Sequence, residues 1–349
     1  MSVSAVPSEA TIVQAGWLRS KTFDLNLILS AAVLALVTGG VAVLQPELFR
    51  LILILDLWLL GYHHVISTFT RLCFDKESFK EHRFLVVELP LIVVAATVGA
   101  VYSLGAWVLP TTYLYWQWFH YTRQSYGIER MYRRKAPGGA TVHDYITTRA
   151  LYLVPAFGIL YRSWQQTETF LGMEVKYLPV SDIGLWIVGG LAAVAFVAWL
   201  GSSLLSLARG ELAFAHFLYV LSHHVIFFVG YCAISDITNG WLVLNVWHNI
   251  QYIMFVWWFN NKRFNDQVDS KAVLLSTLSQ KKHVVGYLIV CLGIATLLYA
   301  FLQFSAQTFV YKDAISLALM TSMVLNFHHY VVDGIIWKRR KQPAAPQAA

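Results

Sequence analysis

Apolar residues run along the chain in blocks of roughly 20, the length an α-helix needs to cross about 30 Å of hydrocarbon at 1.5 Å per residue. Ten such blocks are separated by short polar connections: 24–44, 48–72, 84–108, 111–132, 145–162, 182–207, 211–235, 240–260, 283–303 and 313–337. The pattern predicts an all-α, polytopic integral-membrane helical bundle of about ten transmembrane helices. Two blocks are weaker than the rest, because 111–132 is aromatic and polar and 145–162 is short and interrupted by Pro155, so an eight-span count stays open. A single transmembrane domain, 24–337, is expected between a polar segment, 1–23, and a basic, disordered tail, 338–349. Of the 349 residues 57% are hydrophobic and 13% charged, about half the charged share of an ordinary soluble domain, which excludes a water-soluble fold. The first 23 residues hold no short apolar core ahead of a small-residue cleavage site, so the first apolar helix is expected to serve as its own insertion signal.

Charge gives the orientation. The chain has 26 Lys and Arg; with ten spans, only Arg50, Arg162, Lys176 and Lys312 fall on one side, Arg123 lies inside a span, and the other 21 fall on the opposite side. By the positive-inside rule that side is the cytoplasm, and both termini lie there. The net charge of +7 is then explained by topology and by anionic lipid, without nucleic acid as a partner. The expected location is the cytoplasmic (inner) membrane of a bacterium. Cys73, Cys232 and Cys291 are far apart and form no CxxC, so neither a disulfide framework nor a thiolate metal site is expected. Ala136-Pro137-Gly138-Gly139 marks a turn in the largest basic loop.

The candidate chemistry is imidazole. Of twelve histidines, eight lie within the apolar blocks: His63, His64, His120, His223, His224, His248, His328 and His329. Each must find a partner inside the bundle, because hydrocarbon offers none. Counted along the proposed helices, all eight fall roughly 0.4 to 0.7 of the way across, a band of about 10 Å shared by five helices. One intramembrane metal centre, or two adjacent ones, could collect them. Neighbours in a helix diverge by about 100°, so a His-His doublet serves two adjacent ions, or supplies one ligand and one hydrogen-bonding ring. His329 and Asp333 are four apart and share a face, which suits a carboxylate fixing the tautomer of a ligating imidazole. Asn245, His248, Asn249 and Tyr252 form a polar stripe, Ser67 and Thr68 each follow a doublet member by four, and Gln124 follows His120 by four. Asp333, Asn249 and Gln124 are the expected outer partners of the eight ligands. The dense aromatic runs WQWFHYTRQSY and VWWFNN could wall a pocket for a hydrophobic substrate.

Imidazole-rich donor sets suit iron, copper or zinc. By this histidine inventory the chain resembles the histidine-rich integral-membrane di-iron oxygenases, the desaturases, hydroxylases and ketolases, although the HxxxH and HxxHH spacings of that group are replaced by bare doublets at 63–64, 223–224 and 328–329. The resemblance implies a metal-dependent oxidoreductase that activates O2 at a di-iron centre and oxidises a lipid or isoprenoid. The chain holds no dinucleotide motif and no clustered cysteines, so an external electron donor is expected, with the basic loops 130–149 and 262–282 as docking surfaces. Two alternatives stand beside this reading. Facing histidines could clamp a haem, with YVLSHHVIFF and NFHHYV faintly similar to the copper-ligand helices of haem–copper oxidases, or the histidines could relay protons or metal ions in a transporter.

Overall fold

A long apolar segment in a low-dielectric interior has no partner for its backbone except itself, so it closes its N–H and C=O groups into helix. The computed structural model describes residues 16–135, 142–309 and 314–337, and within them the chain is almost entirely helical. Ten long helices are present among the described residues. They are α1 (Lys21–Leu44), α2 (Pro46–Cys73), α4 (Arg83–Leu104), α5 (Val108–Arg133), α6 (Val142–Gln165), α7 (Asp182–Ala208), α8 (Phe214–Ala233), α9 (Ile237–Phe264), α11 (Val284–Phe309) and α12 (Ala314–Ile336). Two short helices, α3 (Lys76–Glu81) and α10 (Val273–Leu278), and a hairpin of β1 (Thr169–Phe170) with β2 (Met173–Glu174) complete the elements. The turn expected at 136–139, the tail 338–349 and residues 1–15 lie outside the described residues.

Six of the ten, α1, α2, α4, α7, α8 and α11, are both long and apolar enough to cross a membrane. Their outward faces carry large exposed apolar side chains such as Leu34, Leu91, Ile183, Val194 and Leu297, as a lipid-facing surface requires. The other four, α5, α6, α9 and α12, carry buried polar residues in their interiors, Gln117, Arg162, Asn245 and Asn326 among them. α9 is the central element: 20 of its 28 residues are buried, Asn245, His248, Asn249, Gln251, Asn260 and Asn261 among them. Asp236 caps it, its carboxylate accepting from the Asn239 amide at 2.7 Å.

Two boundaries differ from the hydropathy reading. Gly105, with φ of 100°, ends α4 at Leu104, and α5 begins at Val108, so the break between these helices comes three to four residues earlier than expected, while the start of α4 and the end of α5 each differ by one residue. Pro155 does not interrupt α6, which runs unbroken over 24 residues. A proline lacks the N–H that would bond the carbonyl four residues earlier, here Leu151. That carbonyl instead accepts from Nε2 of His223 at 3.2 Å, so a side chain from α8 repairs the helix.

At the hairpin end of the bundle, the fully buried Arg162 of α6 donates to the carbonyls of Gly230 (3.1 Å), Ser235 (2.6 Å) and Ile234, and to Gln165 (2.8 Å). These carbonyls belong to the π-helical turn Val229–Ala233 and the residues after it, where a helix end leaves acceptors unpaired. The opposite end is basic. There Arg133 pairs with Glu129 (2.6 Å) and Asp144 (3.2 Å), Arg263 pairs with Asp75, and Asp24 accepts from Tyr132 (2.7 Å) and from the Leu18 amide (2.8 Å).

Candidate metal centre

Four helices bring one imidazole each into a single buried cluster. A wide π-helical turn in α2, Leu57–Tyr62, ends on the His63-His64 doublet, a local form often found at functional sites. The Nδ1–H of His64 donates to the Gly61 carbonyl at 2.9 Å, which leaves Nε2 as the lone-pair nitrogen. That Nε2 lies 3.0 Å from Nε2 of His329 on α12. His120 of α5 and His248 of α9 close the group, with ring centroids 5.3 Å apart for His64 and His248 and 5.0 Å apart for both His120–His248 and His120–His329. Asp333, one turn beyond His329, sets Oδ2 3.5 Å from Nε2 of His329 and 4.0 Å from Nε2 of His120. Ligand atoms of His64, His120 and His248 lie within 4.8 Å of one another, and so do those of His120, His329 and Asp333. His248 and His329 are 0% exposed, while His120 and Asp333, at 8% and 9%, are the least covered of the five.

Neighbouring hydroxyls orient these donors. Nδ1 of His329 is 3.0 Å from Thr68 Oγ1, Thr68 is 2.6 Å from the Tyr252 hydroxyl, and Tyr252 donates to Asp333 Oδ1 at 2.7 Å. One directional chain satisfies all three contacts: His329 Nδ1–H to Thr68, Thr68 to Tyr252, Tyr252 to Asp333. It leaves Nε2 of His329 and Oδ2 of Asp333 with lone pairs facing inward, the outer support that metal-ligating histidines usually receive. Trp337 adds a bond to Asp333 Oδ1 at 3.3 Å. Toward the hairpin end, Tyr330 stacks on His120 (4.4 Å) and Tyr121 lies against His248 (4.1 Å). The Tyr121 hydroxyl donates to Asn245, which donates to Asp56, both at 2.5 Å.

The donor set fits a metal ion. Both ring nitrogens of His248 and Nε2 of His120 are buried without a hydrogen-bond partner among the described residues, and an unpaired buried polar atom costs about 1–3 kcal/mol. A shared cation would satisfy Nε2 of His120 and one of the two nitrogens of His248. Two Nε2 atoms 3.0 Å apart on one ion, at the usual metal–nitrogen distance of about 2.1 Å, subtend about 90° there, as neighbouring positions of an octahedron do.

The remaining candidate histidines are placed elsewhere. His63 leans back on the Leu59 carbonyl. His223 bonds the carbonyl freed by Pro155 and packs on Phe227 at 4.3 Å. His224 sits among Trp199 (4.6 Å) and Phe196 (5.3 Å), on the side of α8 away from the centre. His328 bonds the Leu85 carbonyl at 2.7 Å and stacks on Phe69. Of the expected outer partners, Asp333 stands among the ligand atoms, while Thr68, noted in the sequence for its spacing from His64, bonds His329 instead. Gln124 donates to the backbone carbonyl of His248 at 3.2 Å, one step from its ring, and Asn249 is buried beside Gly61 with neither amide atom paired among the described residues. Gly61, Tyr330 and Trp337 are site residues that the sequence pattern did not single out, and Tyr121 entered only within the aromatic run WQWFHYTRQSY, since aromatics at helical spacing also make interface belts and packing. Trp337 was the most accessible of them, being four residues beyond Asp333. Comparisons with protein-family models, curated proteins and solved structures return no match, so the functional reading rests on this geometry.

Proposed function

We propose that the chain is an integral-membrane, metal-dependent oxidoreductase that holds one transition-metal ion on His64, His120, His248, His329 and Asp333. The single observation that carries this reading is the gathering of four imidazoles and a carboxylate from four helices into two overlapping buried groups that share His120. All ten long helices are taken to span the bilayer, with the basic end and both termini in the cytoplasm of a bacterium, in keeping with the distribution of Lys and Arg. Four neutral nitrogens and one oxygen suit iron among the first-row metals. The five residues would hold a single ion; two irons would need donors from His63, His223, His224 or His328, which have other surroundings. The bound ion would supply the redox chemistry, and the protein would keep it dry and position the substrate. The contacts among the four rings leave no slot for a macrocycle, which favours an ion over a haem.

The way in favours a hydrophobic substrate arriving from the lipid. His120 of α5 and Asp333 of α12, the least covered of the five, lie on two helices that pack together. Electrons would come from an external carrier docked on the basic end, where Arg130, Arg133, Lys262 and Arg263 cluster.

Metal analysis of the purified protein tests the proposal. The expected result is about one non-haem ion per chain, released by acid because imidazole must be neutral to ligate. A haem absorption band, or no ion after expression in metal-supplemented medium, overturns it. Asp333→Asn keeps the shape but weakens the oxygen donor, and is expected to lower metal retention about 10- to 100-fold, read by titration with a competing chelator.

A further inference from the structure

A second buried polar group lies on the other side of α5, away from the metal ligands. Ser125 and Glu129 are four apart on α5, and His216, Tyr219 and His223 share one face of α8 at spacings of three and four. The two stripes meet where Nε2 of His216 lies 2.9 Å from Glu129 Oε1. Tyr219 extends toward Ser125 and stacks on Tyr132 at 5.4 Å. His223 and Tyr219 both approach the ring of Trp247 on α9, at 6.3 and 6.5 Å.

All six side chains are 0–1% exposed. Yet Glu129 Oε2, His216 Nδ1, His223 Nδ1 and Trp247 Nε1 have no hydrogen-bond partner among the described residues, and the hydroxyls of Tyr219 and Ser125 have only each other. Buried polar atoms are rarely left unpaired, and a run of donors and acceptors along one seam is what a buried water needs, since each makes two to four such bonds. From His216 to His223 the run covers seven residues, about 10 Å of helix rise. At one end it meets Arg133 and Asp144, which are 13% and 12% exposed at the basic end of the bundle. At the other it stops at Trp247, the residue before the ligand His248.

We propose that the seam between α5 and α8 is a hydrated proton inlet, a file of water molecules held by Glu129, His216, Ser125, Tyr219, His223 and Trp247 that leads from the basic end to the middle of the bundle. The polar faces of the two helices hold the file, and the aromatic rings of Tyr132, Phe227 and Trp247 close it from the lipid. It stands without the metal reading, and the metal content of each variant keeps the two separate.

X-ray-induced hydroxyl-radical footprinting of the full chain in detergent tests it, because radicals made from buried water label the side chains next to that water. Tyr219 is expected to be labelled at least about tenfold more than Tyr287, an equally buried tyrosine whose hydroxyl pairs with Thr70 at 3.4 Å. Ser125→Val, which fills the seam and removes a partner, should cut Tyr219 labelling about fivefold with unchanged metal content. The indole N–H of Trp247, assigned by Trp247→Phe, should exchange with deuterium in the parent chain and more slowly in Ser125→Val. Tyr219 labelled no more than Tyr287 overturns the water file. Labelling without exchange at Trp247 overturns proton passage. If Ser125→Val does not fold, the comparison of Tyr219 with Tyr287 in the parent chain decides.

Discussion

Chains carrying His329→Ala should lose the ion, whereas chains carrying His224→Ala should keep it. Both residues belong to doublets in apolar helices and both are fully buried, so the sequence alone gives them equal claim. Their surroundings separate them. His329 faces Nε2 of His64 at 3.0 Å and Asp333 at 3.5 Å, and its other nitrogen is held by Thr68. Removing it deletes a donor, unpairs His64, and releases the Thr68–Tyr252–Asp333 chain that aims the carboxylate. Since loss of an outer partner alone weakens a site by about 10- to 100-fold, loss of a donor together with its support should leave less than about a tenth of the metal. His224 touches Trp199 and Phe196 and sits near no other candidate ligand except His223. Its removal costs packing and stability but no donor. Metal per chain, measured on both variants with the elution profile as a check on folding, reads the difference. Equal loss in both would place the centre elsewhere or nowhere.

That contrast also marks how far the sequence could be read. The ten helices stand where the apolar blocks are, because helix is the one way a segment of that length can satisfy its backbone in lipid. The depth of the histidines and the shared face of His329 and Asp333 follow from helix geometry alone, and the structure puts these two side by side. Which member of each doublet turns inward does not follow. His63 and His64 differ by about 100°, and the choice is made by the π-helical turn Leu57–Tyr62, whose extra residue rotates everything after it. His328 and His329 are sorted by how α12 rolls against α2 and α4, where the Leu85 carbonyl captures His328. His223 is the instructive case. The sequence shows Pro155 only as an interruption of its block, and the packing of α6 on α8 is what lets a histidine answer the carbonyl it leaves free at Leu151. Half of the imidazole set is thus accounted for by backbone or aromatic neighbours, which local spacing does not distinguish from ligands.

Gly240→Ala is expected to be the most damaging single-methyl change in the chain. A Cβ at this position would lie 2.0 Å from the Gly230 carbonyl oxygen and 2.9 Å from Nη2 of Arg162. The first obstacle is backbone, so no rotamer change relieves it, and α9 must move away from α8 at its first turn. The second is the guanidinium that holds the carbonyls of Gly230, Ile234 and Ser235, so the same displacement loosens the cap on the end of α8. Overpacking of this kind costs about 1–3 kcal/mol when side chains can adjust and more when they cannot, and a buried arginine with broken hydrogen bonds adds to it. Because α9 carries His248, the strain reaches the proposed metal centre through the helix itself. Gly190→Ala supplies the control. That position, in the middle of α7, has nothing within 4 Å of an added Cβ and faces outward, so alanine should be neutral or stabilise by up to about 1 kcal/mol through helix propensity. Thermal unfolding of the two variants in detergent should move in opposite directions, with Gly240→Ala aggregating or melting well below the parent chain; a Gly240→Ala protein as stable as Gly190→Ala would show that the α8–α9 crossing is not this close.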